Sequence, residues 1–340
     1  MREPTFWWRE PGLASALLAP MGAAYAAFAA GRMTRAGARV GVPVLCVGNF
    51  TLGGSGKTPA TITIARMLQN AGERVFCLSR GYGGSVSGPK QVDAHTDHAA
   101  QVGDEALLLA RAAPTIVSRD RVAGAELARA GGASVVVMDD GLQNGSIVKD
   151  FTLAVVDGGR GIGNGKVFPA GPLRASLGAQ WTRCDALLVV GEITGAADVI
   201  AAAEVRGKPV LHAKLVADPA ALTALGGKQV LAFAGIGDPE KFFATLSTTG
   251  IAAPRHLAFP DHHRFTAEEA AALVMQAEHE GLELLTTEKD HARMVGDPAL
   301  VALCERARVL PVTLEFEDAA ALKALLLGTI SRRAARGSAA

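Results

Sequence analysis

The sequence predicts an α/β protein in which helices cover parallel sheets and the chain forms two units of unequal size. Apolar strand-like runs alternate with helical patterns, which is typical of parallel sheets. A glycine-rich segment at 51–58 lies between one such run and a helical pattern, and residues 12–31 carry no charged side chain. We expect an N-terminal membrane-associating segment (1–31), a larger unit (32–215), a smaller α/β unit (216–330) and a disordered tail (331–340).

The individual elements follow from apolar runs and helical periodicity taken in chain order. Val42–Val47 is the first strand-like run. The later ones are Val75–Leu78, Thr115–Val117, Ser134–Met138, Leu153–Val156, Ala186–Val190, Val210–Leu215, Val230–Ala234, Leu282–Leu285 and Val309–Leu314. The clearest helical patterns are Pro59–Ala71, Asp104–Ala112, Arg121–Ala130, Pro239–Thr248, Ala267–Glu280 and Ala319–Ile330. Irregular loops are expected at 79–90 and 157–176, and Val216–Gly227 is expected to connect the two units.

The segment Thr51-Leu52-Gly53-Gly54-Ser55-Gly56-Lys57-Thr58 predicts a nucleoside triphosphate site. Strand, glycine-rich loop and helix in this order form the context that a phosphate-binding P-loop requires. Its N–H groups converge on phosphate oxygens, and the helix N-terminus adds positive potential. We expect Lys57 to reach the terminal phosphates and Thr58 to bind Mg²⁺. The other nucleotide-binding residues would be Thr51, Gly53, Gly54, Ser55 and Gly56.

One residue of this segment departs from the general P-loop pattern, because Thr51 stands where the first glycine is usual. The glycine pair at 53 and 54 can supply the flexibility instead. The alternative interpretation is a structural turn between a strand and a helix.

Composition excludes several classes of protein. The 340 residues carry a net charge of +1, with 20% charged and 49% hydrophobic side chains, so neither global disorder nor a basic nucleic-acid-binding surface is expected. The cysteines match neither a zinc spacing nor a disulfide framework, and they predict buried thiols in a reducing compartment. They are Cys46, Cys77, Cys184 and Cys304.

The N-terminal apolar stretch has three interpretations. A signal peptide is disfavoured because acidic residues balance the basic ones in the first ten positions. A membrane-spanning helix is long enough, but Pro20 is expected to interrupt it. A monotopic helix lying in the membrane interface fits best, anchored by Trp7, Trp8, Leu17, Leu18, Tyr25 and Phe28. The alternative is an ordinary helix that packs on the protein, and one helix can do both with different faces.

Three acidic clusters provide candidates for metal binding and proton transfer. Asp139 and Asp140 directly follow a strand-like run, where carboxylates beside a P-loop hold Mg²⁺; a solvated turn is the alternative. Asp104 and Glu105 begin a helix after a long loop, and Asp261-His262-His263 precedes another helix in the second unit. A carboxylate and an imidazole converging from two units would form a base with an orienting partner. From spacing alone, a helix cap or a surface turn is the favoured interpretation of each of these two clusters.

Taken together, the motifs resemble the tetraacyldisaccharide 4′-kinase family, the lipid A 4′-kinases of Gram-negative bacteria. Thr51 in place of the first P-loop glycine is the form found in that family, whereas Asn144 departs from its usual histidine. The matching segments are Val47–Pro59, Leu78–Gly83, Gly103–Glu105, Asp139–Gln143, Pro169–Arg174, Phe233–Gly237, Phe259–His263 and Thr286–Asp290.

The resemblance implies a P-loop NTPase-type α/β/α sandwich with a second, smaller α/β domain and an active site between them. It implies transfer of the ATP γ-phosphoryl group to the 4′-hydroxyl of a tetraacylated glucosamine disaccharide 1-phosphate, with ATP and Mg²⁺ as cofactors. Asp104 matches the general base, His262 its partner and Asp261 the residue that orients the imidazole. Lys57 acts on the phosphates, and Asp139 with Glu105 and Thr58 organises the metal.

The same resemblance implies a cellular location and a set of residues that contact the acceptor substrate. Substrate contacts are expected from Arg80, Tyr82, Arg119, Arg121 and Asn49. For Arg119 and Arg121, surface charges in a turn are the alternative. The protein would work as a monomer at the cytoplasmic face of the inner membrane, as a peripheral or monotopic protein that binds lipid and no nucleic acid.

Two other function classes remain open at this stage. A P-loop regulatory or metallochaperone-type GTPase would share the same beginning, but the chain has no Asn-Lys-x-Asp guanine-reading motif; in Thr287-Glu288-Lys289-Asp290 the lysine is one place too late. A soluble kinase or ligase of a small molecule would not need the apolar N-terminus. Phosphate transfer to the lipid, tested with ATP and with GTP, separates the three.

Overall fold

The structure, a computed structural model, describes residues 3–337. The first two residues of the expected N-terminal segment and residues 338–340 of the expected tail lie outside this range. The described chain forms one sheet of nine strands and one of four strands, so the α/β class is confirmed.

The larger sheet has the order β13-β8-β7-β6-β1-β5-β2-β4-β3. Its inner strands run parallel, and the edge strands β13 and β3 run antiparallel to their neighbours. The central strands are buried on both faces, which is the burial expected for a parallel sheet covered by helices. Its strands are β1 (Val44–Gly48), β2 (Val75–Ser79), β3 (Lys90–Gln91), β4 (Thr115–Val117), β5 (Val135–Asp139), β6 (Phe151–Asp157), β7 (Ala186–Val190), β8 (Val210–Ala217) and β13 (Val312–Phe316).

The smaller sheet is all parallel, in the order β10-β9-β11-β12. Its strands are β9 (Gln229–Ala234), β10 (Ala252–Ala258), β11 (Glu283–Thr287) and β12 (Arg308–Leu310). Strand β10 was not predicted because it is a half-exposed edge strand with little apolar patterning. The two-residue β3 was not predicted either, and it is too short to carry a pattern.

Helices cover both faces of each sheet. The α-helices are α1 (Leu13–Met33), α2 (Lys57–Gln69), α3 (Ala99–Val102), α4 (Asp104–Ala110), α5 (Arg121–Ala130), α6 (Leu177–Trp181), α7 (Ala197–Val205), α8 (Pro219–Leu225), α9 (Pro239–Thr248), α10 (Ala267–Glu280), α11 (Glu288–Met294), α12 (Val301–Arg306) and α13 (Ala319–Gly337). Helices α2, α4 and α13 pack on one face of the larger sheet, and α5, α6 and α7 pack on the other. In the smaller unit, α10 and α12 face α8 and α9 across the sheet.

The run Val309–Leu314 was predicted as one strand, and the structure divides it between the two sheets. Pro311 separates β12 of the smaller sheet from β13, which pairs antiparallel with β8 of the larger sheet. Proline has no N–H to donate to a ladder, so a strand readily ends there. The Pro311 carbonyl instead accepts the N–H of Asp218, at 2.9 Å. The chain from 312 onward therefore returns to the larger unit, whereas we had expected the smaller unit to reach residue 330.

The predicted disordered tail is also wrong for residues 331–337. Helix α13 continues through Gly337, and its alanine and arginine residues are strong helix formers. Arg333 fixes the last turns to the larger unit, since its Nη2 donates to the Val40 carbonyl at 3.2 Å and its Nε lies 3.4 Å from an Asp150 carboxylate oxygen.

Helix α1 is continuous over its 21 residues, so the interruption expected at Pro20 does not occur. Among the described residues it is the one helix long and apolar enough to cross a membrane, by length and composition alone. Its inner face packs on the protein through Ser15, Gly22, Ala29 and Met33. Its outer face is apolar and exposed, through Leu13, Leu17, Met21, Tyr25 and Phe28.

The aromatic residues before α1 take a different position from the one expected. Trp7 is only 6% exposed, and its Nε1 donates to the Pro169 carbonyl at 3.0 Å. Trp8 packs under the Arg160 guanidinium and donates to the Glu3 carboxylate. Both indoles therefore fix the N-terminal segment to the loop before α6, and the prediction of Trp7 and Trp8 as membrane anchors is wrong.

Candidate active site

The P-loop lies between β1 and α2, as predicted. Gly56 caps α2 with φ 86°, in the left-handed region that favours glycine, and Gly53 has φ 95°. The Leu52 N–H donates to the Pro172 carbonyl at 2.8 Å, and Thr51 forms a β-bridge with Leu173. These contacts fix the start of the loop, and the left-handed Gly56 ends it, so that α2 begins at Lys57.

Asp139 ends the neighbouring strand β5 and faces the start of α2. The parallel register places Asp139 beside Val47, immediately before the P-loop. One of its carboxylate oxygens accepts the Thr61 hydroxyl at 2.9 Å, and the other lies 3.5 Å from the Thr58 hydroxyl. Burial, with the nearby Glu105 and Asp140 carboxylates, raises the pKa of Asp139 to about 6.

This donor set fits Mg²⁺. Residues 3–337 contain no ready-made cluster of three or more metal-ligating side chains. Mg²⁺ in nucleotide sites takes only one or two carboxylates and completes its shell with phosphate oxygens and water. Thr58 and Asp139 form such a set, because the Thr58 hydroxyl lies beside the Asp139 carboxylate. Glu105 is also close, since its charge helps to raise the pKa of Asp139.

Asp140, the second acid after β5, has a partner of its own. Both of its carboxylate oxygens accept Arg174 Nη1, at 2.8 and 2.9 Å, and Arg174 Nε donates to the Thr51 carbonyl at 2.8 Å. Desolvation alone would raise the pKa of Asp140, but Arg174 and Lys57 hold it well below its usual range. Arg174 thus connects the P-loop to the end of β5, and we had not predicted it as a site residue.

Asp104 and His262 meet at the junction of the two units. Asp104 begins α4 and is 3% exposed, and His262 lies in the loop after β10. The His262 Nδ1 lies 3.5 Å from an Asp104 carboxylate oxygen. Asp261 lies on the other side of the ring, 3.8 Å from Nε2, and Tyr82 packs against the ring with centroids 5.0 Å apart. The predicted base, its partner and the orienting acid are therefore assembled.

Helix α11 of the smaller unit carries two further cations to the same place. Lys289 Nζ donates to Glu105 at 2.9 Å, and Arg293 Nε donates to Asp104 at 2.6 Å. Burial acts to raise the pKa of Asp104, but His262 and Arg293 together hold it well below its usual range. For His262, burial lowers the pKa, but the hydrogen bond to Asp104 and the negative charges of Asp104, Asp261 and Glu105 together outweigh burial, so the pKa is raised.

A P-loop before α2 and an acid–imidazole pair at the junction of the two units are the arrangement expected of a phosphoryl-transfer site. The family model described as tetraacyldisaccharide-1-P 4′-kinase matches residues 14–331 of the chain. The chain belongs to the tetraacyldisaccharide-1-P 4′-kinase family. This finding confirms the family suggested by the ordered motifs and leaves the switch GTPase and the soluble small-molecule kinase without support.

Curated relatives agree with this assignment over nearly the whole chain. A tetraacyldisaccharide 4′-kinase of a Methylobacterium species is 54% identical over 337 residues, covering 98% of this chain and 99% of the relative. The tetraacyldisaccharide 4′-kinase of Nitrobacter winogradskyi is 50% identical over 332 residues, with 98% of each chain covered. The crystal structure of Aquifex aeolicus LpxK in complex with ATP has a TM-score of 0.71 and 26% identity, covering 94% of this chain and all of that one.

Not all substrate contacts expected of a tetraacyldisaccharide 4′-kinase lie at the surface. Asn49 is fully buried behind the P-loop, with its Nδ2 3.5 Å from the Gly53 carbonyl. Arg121 is 2% exposed, donates to the Ser118 carbonyl at 2.9 Å and has its pKa lowered by burial to about 10. In this structure neither side chain is open to a lipid, so the expectation of direct substrate contact does not fit their burial.

The remaining expected contacts are accessible. Arg80 and Arg119 are exposed, and Tyr82 is 61% exposed while it packs on His262. Asn144, the departure from the family pattern, accepts the Ser146 N–H and hydroxyl within a turn. Its side chain therefore has a local structural role here.

The N-terminal segment also reaches the P-loop of this family member. The Glu3 carboxylate accepts the Arg160 Nη1 at 3.1 Å, and the Arg160 Nη2 lies 2.8 Å from Asp238 of the smaller unit. The end of the Glu3 side chain lies directly over Gly53, and the φ of 95° at this position favours glycine. No local motif pointed to Glu3 or Arg160, because the residues they contact are distant in sequence.

Proposed function

We propose that this chain is an ATP-dependent kinase that phosphorylates the 4′-hydroxyl of a tetraacylated glucosamine disaccharide 1-phosphate. The proposal rests above all on one observation: Asp104 of the P-loop unit and His262 of the smaller unit meet at the junction of the two units. Relatives named tetraacyldisaccharide 4′-kinase, which match nearly the whole chain, supply the identity of the acceptor.

The larger unit would bind ATP, and the crystal structure of Aquifex aeolicus LpxK in complex with ATP supports ATP as the nucleotide. Loop N–H groups from Gly53 to Gly56 and the positive end of α2 suit the β- and γ-phosphates. Lys57 would neutralise the charge that builds on the transferred group, which is the main catalytic demand of phosphoryl transfer. Arg174 holds the loop from outside through the Thr51 carbonyl.

Thr58 and Asp139 would hold Mg²⁺, with Glu105 and water or phosphate oxygens completing the set. Bound there, Mg²⁺ supplies positive charge to the phosphates during transfer. The raised pKa of Asp139 supports the assignment, because a carboxylate crowded by other acids gains from a nearby cation.

The smaller unit would complete the acceptor side. The 4′-oxygen attacks the γ-phosphorus, a new P–O bond forms, and the bond to the β–γ bridging oxygen breaks to release ADP. The proton of the 4′-hydroxyl passes to the Asp104–His262 pair as the attack proceeds. His262 is held on both sides by Asp104 and Asp261, so its ring is oriented before the substrate arrives.

The outer face of α1 would place this site at a membrane surface. Leu13, Leu17, Met21 and Phe28 are more than three-fifths exposed, and they form one apolar stripe. A four-chain lipid leaves a bilayer at a cost of about 0.8 kcal/mol per CH₂, so the enzyme has to approach the lipid. We place the protein, as a monomer, at the cytoplasmic face of the inner membrane, with Arg80, Tyr82 and Arg119 as acceptor contacts.

The test is transfer of labelled γ-phosphate to tetraacyldisaccharide 1-phosphate in mixed micelles. We expect a product with phosphate at the 4′ position with ATP and Mg²⁺, much less product with GTP, and none with chelator. No labelled lipid under any of these conditions would overturn the proposal. Labelling of a water-soluble sugar but not of the lipid would favour the soluble kinase instead.

A further inference from the structure

We propose that Arg293, on helix α11 of the smaller unit, is a positioning residue that fixes the Asp104 carboxylate for catalysis. This inference rests on the function proposed above, in which Asp104 acts with His262 as the base. It assigns a task to a buried cation that none of the recognised motifs includes.

The guanidinium of Arg293 spans the two units. Its Nε donates to Asp104 at 2.6 Å, and its Nη2 lies 2.6 Å from the same oxygen without the alignment of a hydrogen bond. Its Nη1 donates to Asp290 at 2.8 Å and to the Gly235 carbonyl at 2.7 Å. The side chain is 7% exposed, so water competes little for these contacts and each is strong.

The smaller unit holds the guanidinium in one place. Asp290 is fully buried, and its carboxylate also accepts the Gly235 N–H at 3.0 Å and the Thr287 hydroxyl at 2.7 Å. A planar fork with partners at both ends has little freedom to rotate. Arg293 therefore holds the Asp104 carboxylate at a fixed position relative to α11.

Arg293 contacts the same Asp104 oxygen as His262. One oxygen, Oδ1, accepts the N–H of Glu105 at 3.0 Å, which fixes the carboxylate to the start of its own helix. The other, Oδ2, is shared by Arg293 at 2.6 Å and His262 at 3.5 Å. The shorter contact dominates the orientation of Oδ2, so the geometry of the base depends on Arg293 as well as on His262.

A purely structural role is the competing explanation. Arg293 pairs with Asp104 and Asp290 in a buried network, and removal of one member of such a network destabilises a protein strongly. Stability alone does not distinguish the two explanations. Dependence on Asp104 does, because a residue that acts through Asp104 has nothing left to position once that carboxylate is gone.

The experiment measures kcat and both KM values for Arg293→Gln and Arg293→Lys, in the full chain and in the Asp104→Ala background. We expect Arg293→Gln to lower kcat about 10²-fold, with the KM for ATP changed less than about threefold. Arg293→Lys keeps the charge but loses the fork, so we expect it to recover about tenfold of that loss. In the Asp104→Ala background, both changes should leave kcat unaltered.

Arg264→Gln is the matched control, since Arg264 also reaches across the junction, donating to the Gly83 carbonyl at 2.8 Å, but does not contact Asp104. Its kcat should stay within about threefold of the unsubstituted protein. A kcat for Arg293→Gln near normal, or a loss that persists fully without Asp104, would overturn the proposal. If Arg293→Gln does not fold, the same comparison with Arg293→Lys decides. Absence of lipid phosphorylation by the unsubstituted protein would count against the proposed function, not against this inference.

Discussion

The phosphate-binding half of the site and the acceptor half are built in different ways. Lys57 and Thr58 begin α2, after the loop that follows β1, and Asp139 ends the neighbouring strand β5, which pairs with β1. Asp104 and His262 come from separate units, and they meet only because the units dock. The first half is thus a property of one sheet, whereas the second is a property of an interface.

Left-handed backbone occurs in both halves, and Asp140, after β5 in the phosphate-binding half, has φ 51°. Glycines supply the left-handed residues of the P-loop, where such a conformation costs little. His262 is not a glycine, yet it has φ 55°, in a region that side chains disfavour. Its backbone is held there by hydrogen bonds to the Gly235 carbonyl and to the Asp261 carboxylate. We therefore expect ATP binding to tolerate substitutions at the interface between the two units that phosphoryl transfer does not tolerate.

The largest effect should come from removing the phosphate-binding cation. Lys57→Ala deletes the side chain that we propose neutralises the transferred group, and we expect kcat to fall about 10³-fold together with weaker ATP binding. Steady-state kinetics and calorimetric titration with ATP measure the two effects. Lys214→Ala, at an exposed lysine, serves as the control. Tight ATP binding and normal turnover without Lys57 would remove it from the site.

Breaking the acceptor half should separate transfer from binding. His262→Ala leaves the P-loop intact, so we expect kcat to fall about 10²-fold while the Kd for ATP changes less than about threefold. His279→Ala, on the exposed face of α10, should change neither quantity. A proportional loss of ATP affinity in His262→Ala would contradict the division of the site into two halves.

Substitutions in the exposed apolar stripe of α1 should weaken access to the lipid and leave phosphoryl transfer itself unchanged. Replacing Leu17, Met21 and Phe28 by serine removes exposed apolar surface from α1, and we expect vesicle binding to weaken at least about tenfold. Sedimentation with vesicles measures this effect. The control replaces Val205 and Met275, exposed apolar residues elsewhere, by serine. Undiminished sedimentation of the α1 variant would exclude the stripe as a membrane contact.

These substitutions are a sharper test than deletion of residues 1–30. Trp7 and Glu3 pack on the loop before α6 and on the P-loop, so deletion would disturb the site as well as the membrane contact.

The smallest effect concerns stability. The pKa of Asp139 is raised to about 6 in the folded protein, so its ionised form destabilises the fold above that pH. We expect Asp139→Asn to add roughly 1–3 kcal/mol to the free energy of unfolding at pH 8. The gain should shrink as the pH falls from about 6 to about 4, and it should vanish near about pH 3, where the carboxyl is protonated in both the folded and the unfolded state. Thermal unfolding without nucleotide or Mg²⁺ measures it, with exposed Glu240→Gln as the control.

The sequence was informative where function is local along the chain. The P-loop and the acids after β5 could be predicted because a strand, a glycine-rich loop and a helix are contiguous, and because carboxylates at strand ends have a known chemistry. The Asp104–His262 pair could be named only through the family resemblance, since spacing alone could not bring two units together.

Other features depend on docking, which no local pattern encodes. Arg293 lies four residues after Lys289 on α11, so both face the same side; this spacing was the one available signal for it. Arg174 fell within a recognised segment, but its pairing with Asp140 was not evident. Pro311 divides the run Val309–Leu314 into β12 and β13, which belong to different sheets. Both parts of the run are largely apolar, so the sequence does not indicate which sheet each part joins.

The most direct test of the account is Asp104→Ala, measured for lipid phosphorylation and for ATP binding in the same preparation. Asp104 lies at the interface between the units, and its hydrogen-bond and ion-pair partners in the described chain are Glu105, His262 and Arg293, none of which belongs to the P-loop. We expect kcat to fall about 10³-fold while the Kd for ATP stays within about threefold of the unsubstituted protein. Near-normal phosphorylation, or loss of ATP binding in parallel with transfer, would contradict it.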